Sequence, residues 1–136
     1  TEYFDYCFID CPPQLGTLLI NALVAADEVI VPVKTEYLAY RGLNALMDTI
    51  TDIQSGDGDR SLNPDLVFAG VIATIYEKIV NDQKDVLELL GRKATVLGVV
   101  PKSSQAYKYL PDGKPVALAA KGTAIAKAYT EIAIKI

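Results

Sequence analysis

Apolar and polar positions recur along this chain with two periods, and the change from one to the other marks out its elements. Residues 4–10 (Phe-Asp-Tyr-Cys-Phe-Ile-Asp) form an aromatic-rich run that halts at Asp10, Pro12-Pro13 and Gly16. Run and breaker together predict a buried strand ending at Asp10. An apolar run without alternation suits a central strand of a parallel sheet covered on both faces. Leu15, Leu18, Leu19, Ala22 and Leu23 then fall at helical spacing and predict a helix over 14–26. Pro12-Pro13 stand just ahead of it, where the first N–H groups of a helix have no partner to lose. The β-branched run 28–33 predicts a second strand. Residues 37–54 predict the longest helix, with Leu38, Leu43, Leu46, Met47, Ile50 and Ile53 on one stripe.

Residues 55–64 are turn-forming throughout and predict an exposed loop. Asp57-Gly58-Asp59 within it lacks the spacing and the closing Glu of a calcium loop. A third strand is predicted over 66–75. A helix over 81–90 follows, with Asn81 or Asp82 as N-cap and Gly91 closing it. A fourth strand spans 95–100 and stops at Pro101. A short helix within 103–110 precedes the turn Pro111-Asp112-Gly113. Residues 122–136 predict a last amphipathic helix carrying Ile125, Ala128, Tyr129 and Ile132. Strands alternating with helices give an α/β class: a mostly parallel sheet of about four strands, Rossmann-like in three layers, with helices on both faces. All strand ends then face one rim, which collects Asp10-Cys11-Pro12, Lys34-Thr35-Glu36, Ile75-Tyr76-Glu77 and Pro101-Lys102. The 55–64 loop is too short to separate domains, so residues 1–136 are expected to form one domain.

Composition changes this picture little. The chain is 51% hydrophobic and 22% charged, too apolar for disorder and ordinary for a packed α/β domain. A net charge of −4 gives no global case for binding nucleic acid and leaves only local basic patches. Cys7 and Cys11, with no His in the chain, make a poor zinc set. Their separation along one strand also rules against a disulfide, so buried reduced thiols are expected. No apolar run is long enough to span a membrane. The only Met is Met47 and the chain opens directly into an apolar strand, so it is expected to be a portion of a longer protein.

The sharpest chemistry lies at Asp10. A carboxylate at the carboxyl end of a buried parallel strand sits where open α/β sheets place their ligands. The block 4–16, followed by Asn21-Ala22-Leu23-Val24-Ala25-Ala26-Asp27-Glu28-Val29-Ile30-Val31-Pro32-Val33, resembles the Walker B half of a ParA-type (Soj-like) partition ATPase. These deviant-Walker P-loop ATPases include MinD and the nitrogenase iron protein as cousins. The resemblance continues through Glu36-Tyr37-Leu38, Gly42-Leu43, residues 70–74, Val100-Pro101 and Gly113-Lys114-Pro115-Val116. It implies that Asp10 is the Walker B carboxylate, catalytic through the water shell of a magnesium ion. It also implies that Cys11, Pro12, Pro13 and Gly16 belong to a loop sensing the γ-phosphate. Ile75, Tyr76, Pro101 and Lys102 would then border the adenine of ATP. For the intact protein it implies ATP and Mg²⁺ as cofactors, an ATP-driven dimer of the chain with itself, and non-specific DNA binding. A centromere-binding ParB-type partner and a cytoplasmic, nucleoid-associated location follow from the same likeness.

The chain departs from that family in two respects. It contains no G-x-x-x-x-G-K-[ST] loop and no deviant form with a second lysine. Without a phosphate cradle, positioning and charge stabilisation both fail, so these residues alone are expected neither to hydrolyse ATP nor to bind it tightly. The family's usual DNA-contacting arginines fall at Ile79 and Gln105. Lys78, Lys102 and Lys108 supply positive charge there, either toward phosphates or as ordinary solvated surface. Two further readings stay open: a MinD-like membrane-cycling ATPase, which calls for a basic amphipathic C-terminal helix, and an ATP-less α/β module acting in protein association.

Overall fold

Helices and strands form where the two periods place them, with one exception at the start of the chain. The structure, a computed structural model, describes residues 3–56 and 60–136. Its elements run α1 (Thr17–Ala25), β1 (Glu28–Lys34), α2 (Tyr37–Ser55), β2 (Val67–Tyr76), α3 (Asn81–Lys93) and β3 (Val96–Pro101). The short helices α4 (Gln105–Lys108) and α5 (Val116–Ala119) flank a 3₁₀ turn at Leu110–Asp112, and α6 (Ala124–Ala133) ends the series. The three strands make one sheet in the order β1-β2-β3. β2 and β3 pair in parallel. β1 runs the same way, since Val67 N–H donates to Asp27 O (2.9 Å) at one end and Thr35 N–H to Thr74 O (3.2 Å) at the other. The class is therefore α/β with a parallel sheet.

The predicted strand over 4–10 does not form. This segment is irregular and exposed, with Phe8 at 83% and Phe4 at 73% of full accessibility. The reason is hydrogen bonding: a strand needs a ladder partner, and β1, β2 and β3 pair only with one another among the described residues. The expectation of buried thiols fails with it. Cys7 is exposed, while Cys11 is half-buried and its Sγ donates weakly to Ile9 O (3.5 Å). Both cysteines are free, as expected.

Contacts divide the chain into two compact units, Thr1–Val29 with Asn44–Phe68 and Ile30–Leu43 with Ala69–Ile136. In the first unit Leu19 and Leu23 of α1 pack with Ile50 and Ile53 of α2 and with Leu66, and Cys11, Leu46 and Phe68 lie against them. Asn63 ties the end of α1 down, donating from Nδ2 to Leu23 O (3.0 Å) and Ala26 O (2.8 Å). Asp57-Gly58-Asp59 lie outside the described residues.

In the second unit Val100, Ile125 and Ile132 form the core, with Ile72, Ala106, Val116 and Ala128 against it. The approach of α6 to β3 is set by Gly98, where any Cβ would overlap the Ile132 side chain. Thr123 caps α6, its Oγ1 accepting from Ala126 N–H (3.4 Å). The predicted boundaries of α3 shift. Its N-cap is Val80, with no side-chain cap bond, and Asn81 and Asp82 are already helical. Gly91 does not close the helix, because it keeps ordinary helical backbone while Leu90 is fully buried. The helix runs on to Lys93, and Ala94 N–H closes onto Leu90 O (2.9 Å).

Candidate functional site

The carboxyl ends of the three strands in the second unit gather four of the candidate residues, Ile75, Tyr76, Pro101 and Lys102. Just past the end of β1 comes the buried Thr35, whose N–H and Oγ1 both donate to Thr74 O, at 3.2 and 3.4 Å. β2 ends irregularly. Ala73 stands opposite Val99, but Tyr76, three residues on, stands opposite Pro101, only two residues on. One extra residue is accommodated in β2, a bulge. Within it Ile75 adopts φ 58°, the left-handed region that β-branched residues avoid; no other non-glycine among the described residues has positive φ.

Four contacts hold this end of the sheet beyond Thr35. Lys102 N–H donates to Tyr76 O (3.0 Å), and Lys102 Nζ pairs with Glu77 Oε1 (2.9 Å). Glu77 N–H donates to Gln83 Oε1 (2.6 Å) on α3. Val80 N–H donates to Glu77 O (3.0 Å) and leads the chain into α3. Thus Ile75, Tyr76, Pro101 and Lys102, expected together, are brought together here, half-buried except for the exposed Lys102. Gln83 is a supporting residue that the sequence did not announce, since a glutamine inside a polar helix carries no positional signal. Thr35 was visible only as part of a strand end.

The basic candidates diverge. Lys102 spends its charge on Glu77. Lys108 Nζ sits over the Tyr109 ring, 5.5 Å from its centroid. Lys78 is exposed, next to an Ile79 that is 89% exposed.

Asp10, Cys11, Pro12, Pro13 and Gly16 lie in the first unit. Asp10, Pro12 and Pro13 are exposed on the irregular segment ahead of α1. Gly16 stands as N-cap of α1 with extended backbone, and its carbonyl accepts from Ile20 N–H (3.1 Å). Among the described residues no group of three or more His, Cys, Asp or Glu could hold a metal ion. One carboxylate nevertheless fits magnesium, which keeps several waters and takes one or two carboxylates together with substrate phosphates. What the chain does not supply is a glycine-lysine loop to cradle those phosphates. No helix is long and apolar enough to cross a membrane among the described residues.

Residues 1–68 match a family described as AAA domain. The chain is 37% identical over 118 residues to the chromosome partitioning protein ParA of Myxococcus xanthus, covering 85% of this chain and 40% of that protein. It is 35% identical over 135 residues to the sporulation initiation inhibitor protein Soj of Bacillus subtilis, covering 97% of this chain and 51% of the relative. The chain thus spans about half the length of the curated relatives it matches. Among solved structures, apo McdA of Cyanthece superposes with a TM-score of 0.81 at 18% identity, over 98% of this chain and 54% of that one, a likeness of fold. Cobyrinic acid a,c-diamide synthase of Mycobacterium smegmatis, solved with an ATP analog and magnesium, gives 0.55 at 37% identity over 70% of this chain and 37% of that one.

Proposed function

This chain belongs to the AAA domain family in its ParA/Soj form, and from that premise we propose that it is part of a nucleotide-driven partition ATPase. The observation that carries the reading is the family match over residues 1–68, which contains Asp10 and the loop to Gly16. In this reading Asp10 holds the water shell of the magnesium ion, and residues 11–16 follow the γ-phosphate. Ile75, Tyr76, Pro101 and Lys102 line the side toward the base. ATP with Mg²⁺ supplies the phosphoryl chemistry when bound, as the nucleotide and metal seen in the cobyrinic acid synthase support. These residues bind and orient; the cradle for the phosphates is not among them.

The finer role we propose is segregation of plasmid or chromosomal DNA in the cytoplasm. The protein would dimerise with itself, associate with DNA over the nucleoid and answer to a ParB-type partner. The names of the relatives support partition. A membrane-cycling role is disfavoured by α6, whose Ile125, Ala126 and Ile132 are buried, with Ile125 and Ile132 packed beside Val100 of β3, so that its apolar face is already occupied.

The test is Asp10→Ala in the full-length product of the gene. ATP turnover should fall on the order of 10²–10³-fold, as on removal of one transition-state stabilising group. The melting temperature should hardly change, since Asp10 is exposed. Near-normal turnover, with or without about 1 kcal/mol lost as for a capping residue, would withdraw the assignment.

A further inference from the structure

We infer that Ile75 is a positioning residue that acts through its backbone, setting the face of the β2–β3 rim that receives a flat purine base. The inference rests on the reading that this rim lies on the base side of a nucleotide site. Side chains alternate along a strand with a period of two, so from the Ala73–Val99 pair an even ladder would set Ile75 opposite Pro101. The bulge sets Tyr76 there instead. One inserted residue exchanges the two faces for everything beyond it. Tyr76 thereby offers its carbonyl to Lys102 N–H, and Glu77 comes within 2.9 Å of Lys102 Nζ. Neither contact belongs to the even register.

The conformation is costly and firmly held. A β-branched side chain at φ 58° is strained, and such strain persists only where the surroundings over-determine it. Thr35 fixes Thr74 on one side of Ile75 with two bonds. Lys102 and Gln83 fix Tyr76 and Glu77 on the other. Merely ending a strand requires none of this, because Gly or Asn would turn the chain there with less strain. The arrangement sets Tyr76 and Pro101, both half-buried, opposite one another in register, with the Glu77–Lys102 pair next along the chain. A planar ring bearing donors and acceptors on its rim matches it.

AMP, which carries the base without the phosphate chain, is the probe. Millimolar AMP is titrated into the ¹⁵N-labelled 136-residue chain, and the amide shifts of residues 75–77 and 102 are followed. The wild-type rim should shift. Ile75→Gly and Ile75→Asn, which accept positive φ, should each bind AMP more tightly than Ile75→Pro does. Ile75→Pro, locked near φ −65°, should lose on the order of tenfold or more and lose exchange protection at the Lys102 amide. If Ile75→Pro does not fold, Gly and Asn decide alone. Loss of binding in both would mean that the side chain acts and would overturn the inference, as would unchanged binding in a folded Ile75→Pro. A wild-type rim that does not respond would overturn it too. None of these outcomes bears on Asp10, whose turnover test judges the partition ATPase reading separately.

Discussion

Two glycines in successive elements, Gly91 of α3 and Gly98 of β3, have opposite duties. Gly98 lies where α6 meets β3, and a methyl group there would overlap Ile132. Gly98→Ala should therefore cost about 1–3 kcal/mol, the usual penalty of overpacking, read as a lower urea midpoint. Gly91 sits inside α3 on the exposed side, where an added methyl group would meet nothing within 4 Å. Gly91→Ala should gain about 0.5–1 kcal/mol by helix propensity and raise the melting temperature by a few degrees. The same contrast shows what sequence alone can tell. Gly91 looks like a helix stop because glycine so often is one, but only a left-handed backbone would make it so. Gly98 looks incidental, although it sets how closely a helix can lie on the sheet. Ile75 gave no sign of its strain either, since an isoleucine in an apolar run reads as ordinary strand.

At the level of elements, periodicity located α1, β1, α2, β2, α3, β3 and α6 to within a few residues. It missed α5, whose four residues carry too little pattern to register. It failed for 4–10, because an apolar run records what a segment would bury, not whether a ladder partner is at hand. What results is a segment with Tyr6 and Phe8 stacked at 6.4 Å and Phe4 and Ile9 also exposed. Exposed large apolar side chains gathered in one segment favour association with other surfaces. The 136-residue chain should therefore self-associate, its weight-average mass in sedimentation rising with concentration. Tyr6→Lys with Phe8→Lys should suppress that rise without altering the urea midpoint. A chain that stays monomeric at high concentration would contradict this.

For the molecule as a whole, the shared rim of strand ends was readable because the strands of a parallel sheet all end on one side. The partners that stabilise it, Gln83 and the Glu77–Lys102 pair, were not, since long-range contacts leave no local pattern. The exposed pair should contribute little, about 0–1 kcal/mol. On the proposed reading the chain carries the base side of a nucleotide site without a phosphate cradle, so it should show no saturable micromolar binding of Mg-ATP in calorimetry. Binding at that affinity would mean that some other part of the chain holds the phosphates.

Every pairing in the sheet also closes a long stretch of chain. Thr35 reaches Thr74, 39 residues on, and Lys102 reaches Glu77 across 25. Chain entropy is lost before such contacts return anything, so topology as much as stability governs how fast this protein acquires its shape. Stopped-flow refolding from urea should be slow, milliseconds to seconds, as for non-local folds. Helical signal should lead, because α2 and α3 form on local contacts alone while β2 waits for neighbours at a distance on both sides.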